Sequence, residues 1–141
     1  MTDARPIVVG YDGRAGADAA LDEALRLGAG LGAPVAVVFS FEASRLGGEA
    51  RDLDEAVQEH GQAVLDQAVR RAGERGVPIE TEQRMQHPAE GLLAAADERD
   101  AQMVVVGSTG EGPLRGLLVG STSYKLLHLS SRPLLVVRSE G

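Results

Sequence analysis

The chain has 141 residues, of which 43% are hydrophobic and 25% charged, a composition that predicts a single globular domain over residues 1–141. The net charge of −7 disfavours nucleic acid and anionic membranes as partners, and the lack of cysteine excludes disulfides and thiolate metal sites. The N-terminus carries no apolar signal segment, and no apolar run reaches the roughly 18 residues of a membrane span, so we expect a cytoplasmic protein.

Strand and helix patterns alternate along the whole chain. The predicted strands are 6–12, 35–41, 79–85, 103–106 and 134–137, and the predicted helices are 17–31, 52–75, 88–97 and 121–129. Residues 42–50 contain two adjacent glycines and little pattern, which predicts a mobile loop. The fourth strand is continuously apolar, as strands buried on both faces are, whereas the third alternates with polar residues, as edge strands do. This order predicts a doubly wound, parallel α/β sheet of five strands with helices on both faces.

The run from Gly107 to Ser121 is the strongest functional signal in the sequence. It begins where the fourth predicted strand ends and closes where a helix begins, with glycines spaced as G-x2-G-x9-G-S. Glycine lets the backbone approach a ligand closely, and a helix N-terminus offers free N–H groups and a positive dipole end to an anion. The run lacks the Lys-Ser/Thr of a P-loop, and it does not follow the first strand as a dinucleotide fingerprint does. We therefore predict a different kind of phosphate-binding loop.

The spacing of this run matches the ATP-binding signature G-x2-G-x9-G-[S/T] of the universal stress protein family, which the chain resembles. The resemblance includes three further segments in the same order, at 7–13, 88–96 and 132–137. It implies a Rossmann-like domain with strand order 3-2-1-4-5, in which the first and fourth strands are neighbours. Asp12 and Gly107 would then meet at the point where the strand order reverses, which is where such sheets bind ligands.

The resemblance also implies which residues hold an adenine nucleotide, ATP or AMP, together with Mg²⁺. The predicted contacts are Asp12, Ser40, Val106, Gly107, Gly110, Arg115, Gly120, Ser121 and Thr122. In this scheme the Asp12 carboxylate accepts from the ribose or holds Mg²⁺, and the main chain at Ser40 contacts the adenine, with Val106 at its border. The glycines and the start of the last helix surround the phosphates.

Several of these residues have a second interpretation. Asp12 followed by glycine is also a turn-forming pair, and Arg115 is either a phosphate partner or a solvated loop residue. Phe39 or Phe41 faces the base, although strand alternation makes at least one of the two part of the core. Glu111 and Arg14 depart from the family pattern, since relatives often carry a basic residue and a small hydroxyl residue there. They either aid or hinder the binding of a triphosphate.

Three functions are compatible with this sequence. The first is an ATP-binding regulatory module of the stress response, without a general base or catalytic lysine near the phosphates and thus with weak hydrolysis at most. The second is a slow Mg²⁺-dependent ATPase in which Asp12 and Glu111 hold the metal. The third is an interaction dimer of the same fold that binds no nucleotide. In each case the apolar last strand, 134–138, predicts a homodimer, because an uncovered sheet edge invites pairing.

Other chemistry has little support in the sequence. His60, His87 and His128 lack the spacing of metal ligands, which disfavours a metal site built from them. We predict a turn at His87, which precedes a proline, and a helix surface at His128. A hydrolytic triad of Asp12, Ser121 and His128 is disfavoured because no G-x-S-x-G elbow surrounds the serine.

Overall fold

The computed structural model describes residues 4–42, 50–108 and 121–138, and within them strands and helices alternate as the sequence predicts. The elements in chain order are β1 (Ile7–Gly10), α1 (Ala15–Leu31), β2 (Val35–Ser40), α2 (Ala50–Arg75), β3 (Ile79–Arg84), α3 (Pro88–Arg99), β4 (Met103–Gly107), α4 (Ser121–Leu129) and β5 (Leu134–Val137). Residues 43–49, most of the predicted mobile loop, lie outside the described residues. No helix of the described segments combines the length and apolarity that crossing a bilayer requires.

The strands form a single parallel sheet in the order β3-β2-β1-β4-β5, which confirms the order that the resemblance implies. Strand β1 lies at the centre, with Val9 opposite Val37 of β2 and opposite Val105 of β4. The chain leaves the centre after β1, passes to one side for β2 and β3, and returns for β4 and β5. The strand order therefore reverses between β1 and β4, at their carboxyl ends.

Alternating strand residues separate the hydrophobic core into two layers, one on each face of the sheet. Ile7, Val9 and Val105 pack with residues of α1 and α2. Val8 and Val104 face the opposite way and pack with residues of α3 and α4. Because both faces are covered, the central strands are apolar without interruption, as parallel sheets require.

The ends of the elements differ from the predicted bounds by a few residues. Strand β1 begins after Pro6, which has no N–H to donate. It ends at Gly10, although the Tyr11 N–H still donates to the Val38 carbonyl at 3.0 Å. Helices α1 and α2 each begin two residues earlier than predicted, and α3 continues two residues further, to Arg99. The end of a helix can shift by one or two residues at little cost, because terminal residues add few core contacts.

The two edges of the sheet have opposite character. The outer strand β3 carries charged residues that pair with each other and with α3: Arg84 Nη1 lies 2.6 Å from Glu82 Oε2 and 2.7 Å from Glu98 Oε2, and Arg99 Nη1 lies 2.8 Å from Glu82 Oε1. This confirms the prediction of a polar edge strand. At the other edge, all four residues of β5 are apolar and partly exposed.

Candidate functional site

The carboxyl ends of β1 and β4 lie side by side, as the predicted site requires. Val9 and Val105 are the last registered pair, so two residues further on Tyr11 is level with Gly107. Asp12 and the end of β4 therefore lie at the same edge of the sheet, where the strand order reverses. Helices α1 and α4 both begin near this edge.

Gly107 is enclosed by the first turns of both helices. A Cβ atom at this position would lie 2.8 Å from the Gly16 carbonyl oxygen at the start of α1. On the other side, the Ser123 hydroxyl of α4 donates to the Gly107 carbonyl at 2.7 Å. The sequence predicts this glycine as a point where phosphate approaches the backbone. Within the described residues, the group that approaches Gly107 closely is the backbone of α1 at Gly16.

Ser123 is a site residue that the sequence analysis missed. Its side chain is buried, with 2% exposure, and its hydrogen bond joins the start of α4 to the end of β4. The residues between these two points, 109–120, lie outside the described residues, and with them the predicted contacts Gly110, Arg115 and Gly120 and the departure at Glu111. The sequence signal for Ser123 was its place as a further hydroxyl residue in the first turn of the helix that begins at Ser121.

Two helix N-termini thus meet at this edge. Helix α4 begins at Ser121, as predicted, and Thr122 is half-buried in its first turn. Helix α1 is preceded by Arg14, whose side chain offers no acceptor to the first N–H groups. Each N-terminus carries a partial positive charge, and a pair of them can hold an anion.

Asp12 occupies the turn between β1 and α1. Its side chain is exposed, and its Oδ1 accepts a hydrogen bond from the Arg14 N–H at 3.0 Å. This is the turn-forming interaction that was the second interpretation of the residue. A carboxylate has about four acceptor positions, so one such bond leaves capacity for a ribose hydroxyl or a metal ion.

The residue before this turn, Tyr11, is another that the sequence analysis did not single out. Tyr11 is 2% exposed, its hydroxyl donates to Asp18 Oδ1 at 2.5 Å, and it accepts from Gln67 Nε2 at 2.9 Å. Burial, and then the hydrogen bond to the Asp18 carboxylate, raise the pKa of Tyr11 above its ordinary value. The phenol therefore stays protonated at physiological pH.

The remaining predicted side chains have structural partners. The Ser40 hydroxyl donates to the Gln86 carbonyl at 2.7 Å, which ties the end of β2 to the turn before α3. Val106 is 5% exposed and packs in the core layer of α3 and α4. The predicted adenine contacts at Ser40, through its main chain, and at Val106 remain predictions.

Phe39 and Phe41 point to the same face of β2, since they are two residues apart, with ring centroids separated by 5.7 Å. Phe39 packs against the core layer of α1 and α2. Phe41 lines a cleft of about 350 Å³ with Gln58, Gln83 and Met85. Because both rings lie on one face of the strand, the alternation of side chains does not distinguish a core ring from a ring that faces a ligand.

His87 and His128 occupy the turn and the helix surface that the sequence predicts for them. His87 Nδ1 accepts from the Ala89 N–H at 3.2 Å and so caps α3, and His128 lies on the exposed surface of α4. His60 is exposed and meets the Phe39 ring edge-on. Across the described part of the chain, no three or more histidine, aspartate or glutamate side chains come together as metal ligands.

The doubly wound parallel sheet, with helix N-termini at the strand-order reversal, places this chain among the open α/β domains. Proteins that share this fold differ in function. The family model of the universal stress protein family matches residues 4–138. A universal stress protein from Mycolicibacterium smegmatis is 34% identical over 146 residues, covering 95% of this chain and 48% of its own length. This chain belongs to the universal stress protein family.

Solved structures agree with this assignment. A universal stress protein in complex with cAMP is 26% identical, with a TM-score of 0.78, and the match covers 99% of this chain and all of that chain. A universal stress protein from Archaeoglobus fulgidus in complex with dAMP is 25% identical, with a TM-score of 0.71, and the match covers 97% and 99% of the two chains. The chain spans about half the length of several curated relatives, including 55% of the Bacillus subtilis universal stress protein YxiE.

Proposed function

We propose that this protein binds an adenine nucleotide, ATP or AMP, at the carboxyl ends of β1 and β4, and that binding regulates its interactions in the stress response. The observation that carries the proposal is the meeting of two helix N-termini around Gly107, beside the Asp12 carboxylate. A phosphate group is one of the anions that helix N-termini bind. Support also comes from the two family members whose structures hold cAMP and dAMP.

The charge of the protein bears on which nucleotide is held. With a net charge of −7, the chain repels a triphosphate at long range, so local N–H groups and a cation must offset that repulsion. Mg²⁺ is held in proteins by one or two carboxylates together with the phosphates of the nucleotide. Asp12 is the predicted protein ligand, and its remaining acceptor positions fit that role. We therefore propose that Mg²⁺ strengthens the binding of ATP more than that of AMP.

Calorimetric titration of nucleotide-stripped protein tests this function. We expect dissociation constants in the micromolar range for ATP with Mg²⁺ and for AMP, and a weaker response to ATP without the metal. The Gly120→Val variant, which places a branched side chain in the signature, should lose the heat of binding while keeping the helical circular dichroism of the wild type. Absence of binding by the wild-type protein to ATP, AMP and cAMP would contradict the proposal.

We further propose that the protein forms a two-fold homodimer through the β5 edge, 134–138. Helix α4, which precedes β5, also carries exposed apolar side chains: Tyr124, Leu127 and Leu129 are 60%, 57% and 52% exposed. The carbonyls of Pro133 and Val137 accept from the N–H groups of Val104 and Ser108, so the main-chain polar groups of Leu134 and Val136, between them, point outward. An isologous pairing of this edge closes with two copies.

Sedimentation velocity distinguishes the dimer from a monomer. The wild-type protein should sediment with the mass of two chains at micromolar concentration. Val136→Pro removes an outward N–H while leaving the β4 ladder in place, and proline is tolerated at such an edge position. We expect this variant to sediment as one chain with unchanged circular dichroism. A wild-type mass of one chain would refute the proposed pairing.

A further inference from the structure

We infer that Tyr11 is a positioning residue for the proposed nucleotide site, and that its hydroxyl holds the turn of Asp12, Gly13 and Arg14 in place by linking it to α1 and α2. The inference rests on the proposed function, since the nucleotide is the ligand that this turn would help to bind. It concerns a side chain that points away from the ligand edge into the layer beneath it. Tyr11 would thus act on the nucleotide through the backbone of the following residue, Asp12.

The end of β1 requires an additional restraint at this point. Strand pairing ends with Gly10, and the Tyr11 N–H makes the last main-chain bond from β1 to β2, to the Val38 carbonyl. The chain then turns through Gly13, which has a φ of 82°. The Tyr11 hydroxyl supplies the next anchor, since it bonds to Asp18 in the first turn of α1 and to Gln67 in the middle of α2.

Helix α2 reaches the turn at two adjacent points. Gln67 bonds to the Tyr11 hydroxyl, and Val64, three residues earlier on the same helix face, lies beneath Gly13. A Cβ atom at Gly13 would lie 3.3 Å from Val64 Cγ2, so the backbone of the turn rests closely on this side chain. The turn is therefore held by packing at Gly13 and by hydrogen bonds at Tyr11.

A second group of charges lies beside Asp18 and joins the same two helices. Arg71 of α2 donates to both Asp22 oxygens, with Nε to Oδ1 at 3.1 Å and Nη2 to Oδ2 at 2.7 Å. Its Nη1 also lies 3.8 Å from Asp18 Oδ1. The hydrogen bonds to Asp22 raise the pKa of Arg71, which stays charged. A bidentate arginine of this kind sets the relative position of α1 and α2, while Tyr11 connects that pair to the turn.

A buried phenol in such a network costs more to retain than phenylalanine unless its hydrogen bonds are made. A tyrosine serving only as core would be replaced by phenylalanine with little change at the neighbouring turn. For a positioning tyrosine, the same replacement removes the hydroxyl and frees the turn, although the phenylalanine ring still fills the same space. The Tyr11→Phe variant separates these two roles.

The first measurement uses the nucleotide-free protein. Amide hydrogen exchange at residues 12–16 should accelerate about tenfold in Tyr11→Phe, as expected when hydrogen bonds of ordinary strength are lost locally. The matched control is Asp22→Asn, which weakens the Arg71 pair of the same network but retains both bonds of the Tyr11 hydroxyl. In this control we expect exchange at the turn to stay close to the wild-type rate. Equal acceleration in both variants, or none in Tyr11→Phe, would overturn the inference.

The second measurement is nucleotide titration of the same variants. The dissociation constant should rise about tenfold in Tyr11→Phe and remain nearly unchanged in Asp22→Asn. Combining Tyr11→Phe with Asp12→Asn should give less than the product of the two single effects, since both act through one turn. If wild-type protein binds and Tyr11→Phe binds equally well, the inference fails and the proposed function stands. If wild-type protein binds no adenine nucleotide, the proposed function fails, and the exchange rates alone decide whether Tyr11 holds the turn.

Discussion

Replacing Gly107 with alanine is expected to lower the free energy of unfolding by about 1–3 kcal/mol, the usual cost of adding a methyl group to a closely packed position. The added Cβ would lie 2.8 Å from the carbonyl oxygen and 3.0 Å from the carbonyl carbon of Gly16. Both atoms belong to the backbone, so they cannot move aside as a side-chain tip can. Helix α1 has to shift away from β4, and the Asp12 turn has to shift with it.

The same substitution should weaken nucleotide binding by about tenfold or more, because the two helix N-termini no longer meet at their native separation. Gly73→Ala is the control: it lies in α2 with nothing within 4 Å of its added Cβ, and alanine there should stabilise the helix by up to about 1 kcal/mol. Urea unfolding and calorimetric titration of both variants provide the readouts. An unchanged unfolding midpoint for Gly107→Ala would show that α1 and β4 are not in close contact.

Two glycines of α1 are expected to respond to alanine in opposite directions. A Cβ at Gly28 would lie 2.8 Å from the Ala33 carbonyl oxygen and 2.9 Å from Val35 Cγ2, whereas a Cβ at Gly30 would have nothing within 4 Å. Gly28→Ala should therefore destabilise the protein by about 1–3 kcal/mol. Gly30→Ala should stabilise it by a few tenths of a kcal/mol to about 1 kcal/mol, since alanine is the better helix former.

The reason for this difference is the path of the chain after α1. The Gly28 carbonyl accepts from the Ala33 N–H at 2.9 Å, so the chain folds directly back over Gly28 to enter β2. Thermal unfolding of the two single variants and the double variant measures the difference with little ambiguity, because the helix is the same. Equal stability of the two variants would mean that the α1–β2 connection does not pass over Gly28.

The sequence predicts the elements well because each carries its own periodic pattern. The parallel sheet follows from the alternation of apolar strands with helices, and β3 is recognisable as an edge by its charged residues. The order of the strands does not follow from the pattern. It was available only through the resemblance, since strand order depends on contacts between segments that are distant along the chain.

The site was predictable to a lesser extent, for a similar reason. The signature indicates that Gly107 is required, but it cannot show that its near neighbour is Gly16, 91 residues earlier in the sequence. Tyr11 reads as one more apolar residue of a buried strand, because its partner Gln67 lies on a helix that the pattern cannot orient. Short-range features such as the turns at Asp12 and His87 were predictable, since the partners there are two residues away.

The unequal edges of the sheet have a consequence for the size of any assembly. At β3, Glu82 and Arg84 pair with side chains of α3, and Glu80 and Thr81 are exposed, so another strand would have to displace or desolvate charges to add there. A sheet continued through β5 of two copies would have a β3 strand at each of its outer ends. Growth of the proposed dimer by strand addition would therefore end at ten strands, because its two β5 edges would be paired with each other and its outer β3 edges would be charged.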